Sequence, residues 1–352
     1  MSSQNLTPET LPLAGHQVDV YGLSLLPASC KTVTCIWLHH QRTRTKESMA
    51  SFASLILSTY YSDSDSKSTS SRGLLCLAYD HRNHGTREIN PHTTGSWREG
   101  NPNHAVDMWG MVSGMVADQS LLIDLIESYL FPAAESDGKT IDQHLVLGVS
   151  LGGHSTWQAV FTDKRVRGGV AVIGCPDFMY LMSDRARLSK LKTWGSQDGG
   201  AAFLGSRDFP TSLVEACKKG DPKGLLFGTG PVEDGRSASP TRATQQAGAR
   251  HRALYERLEG KKLMVCTGQV DKLVPPRCSE PFMSWLKRAV EEPPTEEQRI
   301  LVDERIYEGV GHVFSEGMIK DAVEFLLGCV RSADEDRCNP LRKEAGWVAA
   351  KV

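Results

Sequence analysis

The residues of this chain best placed to do chemistry are Gly148-Val149-Ser150-Leu151-Gly152-Gly153. A serine hydroxyl is a weak nucleophile and must be presented to a base at a sharp turn. The apolar run 145–149 reads as a strand and 152–161 as a helix, so Ser150 falls between them. Flanking glycines let the backbone turn there without side-chain clashes, which raises the hydroxyl above the sheet. The N-terminus of the following helix favours negative charge developing nearby. The bare GxSxG pattern is common by chance; its place in a strand–turn–helix makes it specific.

Such a serine needs a base and an acid, in the chain order serine, acid, histidine. His312 follows the run 299–307 and sits in Glu308-Gly309-Val310-Gly311-His312, whose glycines allow a loop that returns to Ser150. It would take the serine proton and return it to the leaving group. Asp271, in Gly268-Gln269-Val270-Asp271 after the run 263–267, would hold the imidazole tautomer and stabilise its charged form; Asp177, after the run 169–173, is the rival acid. A tetrahedral intermediate also needs two backbone N–H donors. Leu151 is one expected donor, and Gln41, or else His40, from His39-His40-Gln41-Arg42 is the other.

Together these segments resemble the α/β-hydrolase superfamily. Asp80-His81-Arg82-Asn83-His84-Gly85 resembles the loop after the fourth strand of that fold. Asn103-His104-Ala105 through Asp107-Met108-Trp109 resembles the stretch that follows it in fungal intracellular α/β-hydrolases of serine-esterase type. The resemblance spans about residues 17–331 and implies hydrolysis of an ester, thioester, lactone or related bond without a cofactor. At the oxyanion loop this chain carries His39-His40 where many members carry His-Gly.

The elements that must position these residues alternate along the chain. Strand-like runs at 33–38, 74–79, 145–149, 169–173, 263–267 and 299–307 are separated by helical spacing at 47–60, 107–130, 152–161, 279–290 and 318–330, with an entry strand or hairpin at 17–26. Continuous apolar strands between helices predict an α/β class fold, a mostly parallel twisted sheet covered on both faces. Residues 1–175 and 249–332 read as the two parts of the core, 176–248 as a lid or cap insertion over the carboxyl ends of the strands, and 333–352 as a polar tail. Segment 62–72 reads as a surface loop.

Other side chains carry weaker expectations. His39, Trp97, Trp109, Phe178, Met179 and Tyr180 are candidates for a substrate pocket, or for packing of the insertion onto the core. The basic run 185–192 reads as a solvated helix face. Arg82 reads as a structural partner of Asp80 or of the loop backbone. His81, His84 and His104 fit no strong ligand spacing, so no metal is expected.

The 352 residues carry a net charge of −2 with 40% hydrophobic residues. That balance gives no electrostatic case for nucleic acid and predicts a small, largely apolar acyl substrate. No apolar stretch is long enough for a transmembrane segment, and the polar start lacks the features of a signal peptide. Nine irregularly spaced cysteines fit a reducing compartment, so the expected location is cytoplasmic. A homodimer is left open. The leading reading is a serine hydrolase working through an acyl-enzyme. The alternatives are an acyltransferase or tailoring enzyme of small-molecule biosynthesis on the same triad, and a non-catalytic ligand receptor on a hydrolase scaffold.

Overall fold

The computed structural model describes residues 6–62, 72–132, 138–232 and 240–338. Strands β1 (Glu9–Leu13), β2 (His16–Tyr21), β3 (Thr32–His39), β4 (Arg72–Ala78), β5 (Thr140–Val149), β6 (Val166–Val172), β7 (Lys262–Gly268) and β8 (Leu301–Tyr307) form one sheet in the order β1-β2-β4-β3-β5-β6-β7-β8. β1 and β2 are an antiparallel hairpin, β2 meets β4 antiparallel, and every pair from β4 to β8 is parallel. All eight residues of β3 are buried, as expected of a parallel strand covered on both faces. Its side chains alternate: Cys35 and Trp37 enter one core cluster, Ile36 and Leu38 the other.

Helices α1 (Ala50–Ser62) and α9 (Glu316–Cys338) close one face, where Ile56 and Leu57 join Met318, Leu326 and Val330. The other face is covered by α2 (His104–Leu130), α3 (Leu151–Thr162), α7 (Pro240–Leu258) and α8 (Pro276–Ala289), through Leu122, Trp157, Leu254 and Phe282. Between β6 and α7 lie α4 (Phe178–Leu188), α5 (Thr211–Gly220) and the short α6 (Pro222–Phe227). Phe178, Leu181, Phe203, Phe209 and Leu213 of this stretch pack on Met108, Trp109 and Val112 of α2 in a third apolar cluster. Among the described residues no helix is long and apolar enough to cross a membrane.

The elements depart from the sequence reading in places with physical causes. α2 starts at His104, ahead of the expected 107, and the ring nitrogen Nδ1 of that residue lies 2.9 Å from the Gly95 carbonyl. α7 runs across the expected insertion boundary at 248, and Leu254, Tyr255 and Leu258 near its C-terminal end belong to the core. α9 extends to Cys338, past the expected start of the tail at 333; the rest of that tail, and 63–71 of the expected surface loop, lie outside the described residues.

Candidate active site

Ser150 sits between β5 and α3 with φ 57° and ψ −107°. A non-glycine residue pays strain in that region, so surrounding contacts must hold it there. The Ser150 N–H donates to the Val172 carbonyl at 2.9 Å, and its own carbonyl accepts from the His154 N–H at 3.0 Å. The turn leaves no room for side chains beside it. A Cβ on Gly152 would lie 2.1 Å from the carbonyl oxygen of His39. The first turn of α3 therefore touches the end of β3 backbone to backbone, which brings the loop after β3 alongside Ser150.

The candidate base and acid, His312 and Asp271, arrive on two loops that are bonded to each other. Gln269 N–H donates to the Tyr307 carbonyl and Val270 N–H to the Val310 carbonyl, each at 3.0 Å. Gly268 is required at their crossing, since a Cβ there would meet the Gly311 carbonyl oxygen at 2.4 Å. The loops deliver a hydrogen-bonded chain of three side chains. Ser150 Oγ lies 2.8 Å from His312 Nε2, and His312 Nδ1 lies 2.7 Å from Asp271 Oδ2. The second carboxylate oxygen of Asp271 accepts the N–H groups of Leu273 at 2.8 Å and Val274 at 3.0 Å. The Asp271 side chain is fully buried, while that of His312 is 21% exposed. The carboxylate can only accept, so this pattern assigns the His312 proton to Nδ1 and leaves Nε2 free to accept the serine proton. Asp177 is engaged elsewhere: it is the N-cap of α4 and accepts the Tyr180 N–H at 2.9 Å.

Ser150, Leu151, Gln41 and His312 line one cavity of about 680 Å³ at the carboxyl ends of the strands. His40 does not line it. Its ring is fully buried, with Nδ1 donating to the Gln41 carbonyl at 2.8 Å and Nε2 accepting the His81 N–H at 2.9 Å. Burial pushes its pKa down to about 4, in keeping with a neutral ring that donates once and accepts once. His40 thus ties the loop after β3 to the loop after β4.

The candidate pocket residues separate. Trp97 lines the cavity. His39 is buried beneath, with Nδ1 2.8 Å from Ser155 Oγ. Trp109, Phe178 and Met179 pack α4 onto α2, the first two with ring centroids 5.1 Å apart, and Tyr180 is exposed to solvent. Arg82 pairs with Asp118 at 2.9 Å and not with Asp80. Asp80 instead accepts the N–H groups of Lys46 and Thr86, each at 2.9 Å, so its carboxylate ties the segment before α1 to its own loop.

Sequence reasoning missed Arg42 and Arg185 as cavity residues. The structure puts both in the wall, which corrects the reading of 185–192 as a solvated face at its first residue. The signal was present: Phe178, Leu181, Met182 and Ala186 are the buried stripe of α4, and Arg185 falls on that stripe by its 3.6-residue spacing.

No family model matches the chain, and no curated protein matches it. Among solved structures, TT1662 from Thermus thermophilus superposes with a TM-score of 0.53 at 19% identity, over 92% of this chain and 98% of that one. The Pyrococcus furiosus esterase PF2001 gives 0.43 at 17% identity, over 92% and 88%. The Pyrococcus horikoshii acylaminoacyl peptidase gives 0.49 at 12% identity, over 92% of this chain and 40% of that one. The strand order, the helices on both faces and the superposition on TT1662 make the architecture that of the α/β-hydrolase fold.

Proposed function

We propose that this protein is a serine hydrolase that cleaves an ester, lactone or thioester of a small molecule through an acyl-enzyme. The observation that carries the reading is the unbroken hydrogen-bond chain from Ser150 Oγ to His312 at 2.8 Å and on to Asp271 at 2.7 Å, opening into a cavity. His312 Nε2 takes the hydroxyl proton as Ser150 Oγ attacks the carbonyl carbon. The imidazolium so formed keeps its Nδ1–H on Asp271. The backbone N–H groups of Leu151 and Gln41 are the proposed donors to the oxyanion, which the N-terminus of α3 also favours. Collapse of the intermediate passes the proton from His312 to the leaving group and leaves the acyl group on Ser150. Water activated by the same imidazole then releases the acid. Eight of the nine cysteines, all but Cys338, are free and buried, which supports action in a reducing compartment.

The test is covalent labelling with a fluorophosphonate probe. Wild type takes one label per chain and Ser150→Ala takes none; a clean label on Ser150→Ala removes the nucleophile from this account. Competition between water and an added alcohol for the acyl group separates hydrolysis from acyl transfer, which would use the same residues.

A further inference from the structure

The charge lining the cavity is opposite to that of the whole chain. Among the described residues, Arg42, Arg44, Arg98, Arg185 and Lys272 line it against one carboxylate, Glu99, while the net charge of the chain is −2. Glu99 is itself engaged, accepting the Ser96 N–H at 2.6 Å within a capping box. Several arginines outside the wall are ion-paired: Arg72, Arg82, Arg165 and Arg305 each reach a carboxylate. Among the described residues no ion pair reaches Arg42 or Arg185. Arg42 Nη1 donates to the Thr94 carbonyl at 2.6 Å. Arg185 donates to the Met108 sulfur at 3.0 Å, a weak acceptor, and to the Leu273 carbonyl at 3.2 Å.

Arg185 also stands beside the reacting groups. Leu273, whose carbonyl it binds, donates its own N–H to Asp271. Burial lowers the Arg185 pKa to about 10, and the neighbouring Arg42 adds to that shift. Two half-buried guanidinium groups that line one cavity and meet no carboxylate among the described residues are stabilised by an anion bound there. The planar fork of arginine matches a carboxylate in two parallel hydrogen bonds.

We infer that the substrate is an ester carrying a free carboxylate, which Arg185 and Arg42 bind so that the scissile carbonyl comes to Ser150. The inference rests on the hydrolase reading and replaces a largely apolar substrate with an anionic one. The overall charge pointed the other way because it averages over a surface the substrate never meets.

The full-length protein is assayed on two matched pairs. Mono-p-nitrophenyl adipate against its methyl ester places the carboxylate on the acyl side. 4-Acetoxybenzoate against methyl 4-acetoxybenzoate places it on the leaving group. The anionic member of one pair is expected to win in kcat/KM by roughly 10- to 100-fold. Arg185→Gln should collapse that preference through KM, and Arg185→Lys should keep part of it. No anionic preference in either pair overturns the inference. So does an equal loss on anionic and neutral esters in Arg185→Gln, which would make Arg185 only a brace for the Asp271 loop. Calorimetry on Ser150→Ala with monomethyl adipate against dimethyl adipate reads recognition without turnover. If fluorophosphonate does not label Ser150 but the monoester binds, the hydrolase reading fails and the anion site stands. If Ser150 labels and the monoester binds no better than the diester, the reverse holds.

Discussion

Replacing Asp271 by asparagine keeps the shape of the side chain and removes one acceptor, so its effect can be worked from the contacts. The carboxylate receives three N–H groups: His312 Nδ1–H on one oxygen, and Leu273 and Val274 on the other. An amide has only one acceptor end. If its oxygen stays with the two backbone N–H groups, its NH₂ faces His312, the ring proton moves to Nε2, and the ring cannot accept from Ser150. If its oxygen turns to His312, the NH₂ confronts two N–H donors in a buried site. Leaving both unsatisfied costs about 1–3 kcal/mol each, or roughly 2–6 kcal/mol together. At about 1.4 kcal/mol per factor of ten, the productive orientation is then populated in roughly one molecule in 30 to one in 20,000. Loss of the negative charge facing the imidazolium adds to the deficit. Asp271→Asn should therefore lower kcat/KM on a p-nitrophenyl ester by at least about 30-fold and toward roughly 10⁴-fold. Asp177→Asn should change it little, since asparagine is also a good N-cap. A loss below tenfold in Asp271→Asn would refute the orientation argument, and an inactive Asp177→Asn beside it would move the acid to Asp177.

Three further expectations come from the same contacts. Gly152→Ala places a Cβ 2.1 Å from a backbone oxygen that cannot swing away, so urea unfolding should report a loss of about 3 kcal/mol; a loss under about 1 kcal/mol would contradict the packing at the turn. His40→Ala removes the partner of the Gln41 carbonyl and of the His81 N–H, and should lower kcat by roughly 10- to 100-fold through the loosened oxyanion loop while the label on Ser150 stays stoichiometric; unchanged kcat would show that the loop needs no such tie. Burial lowers the folded pKa of His39, His104 and His154 to about 3, and of His40 and His144 to about 4. Folded values below the unfolded one of about 6.5 mean that the unfolded chain takes up protons first. Stability is thus full above pH 6.5 and is lost as pH falls toward 4, each histidine contributing up to about 1.4 kcal/mol per pH unit. His144→Gln should flatten that slope by about one such contribution, and a stability flat from pH 6.5 to 4.5 would contradict the neutral burial of these rings.

What the sequence revealed follows from which forces are local. The turn at Ser150 was legible because the backbone contact beneath Gly152 forbids any side chain there, and glycine is the visible trace of that contact. The placement of Asp271 and His312 beside Ser150 was legible from strand order, since each follows one of the last two parallel strands. The hydrogen bond between His40 and Gln41 links neighbouring residues, yet its consequence depends on His81 in another loop, which pattern alone does not disclose. The pocket was the least legible part. Trp109, Phe178 and Met179 are apolar and near the right place in the chain, but they are buried in packing α4 against α2. Arg185 looks like a surface residue by type; only the docking of α4 decides that its stripe of the helix faces the cavity. Side-chain type predicts burial on average, and a cavity is where that average fails.

The most direct measurement of the central claim is the trapped acyl-enzyme itself. Protein mixed with a p-nitrophenyl ester for milliseconds, quenched in acid and digested should carry the acyl mass on the peptide containing Ser150, with a burst of nitrophenol of about one per chain. The same quench of Ser150→Ala should carry no acyl mass and show no burst. An acyl group on any other residue of the wild type, or rapid turnover by Ser150→Ala, would contradict the account.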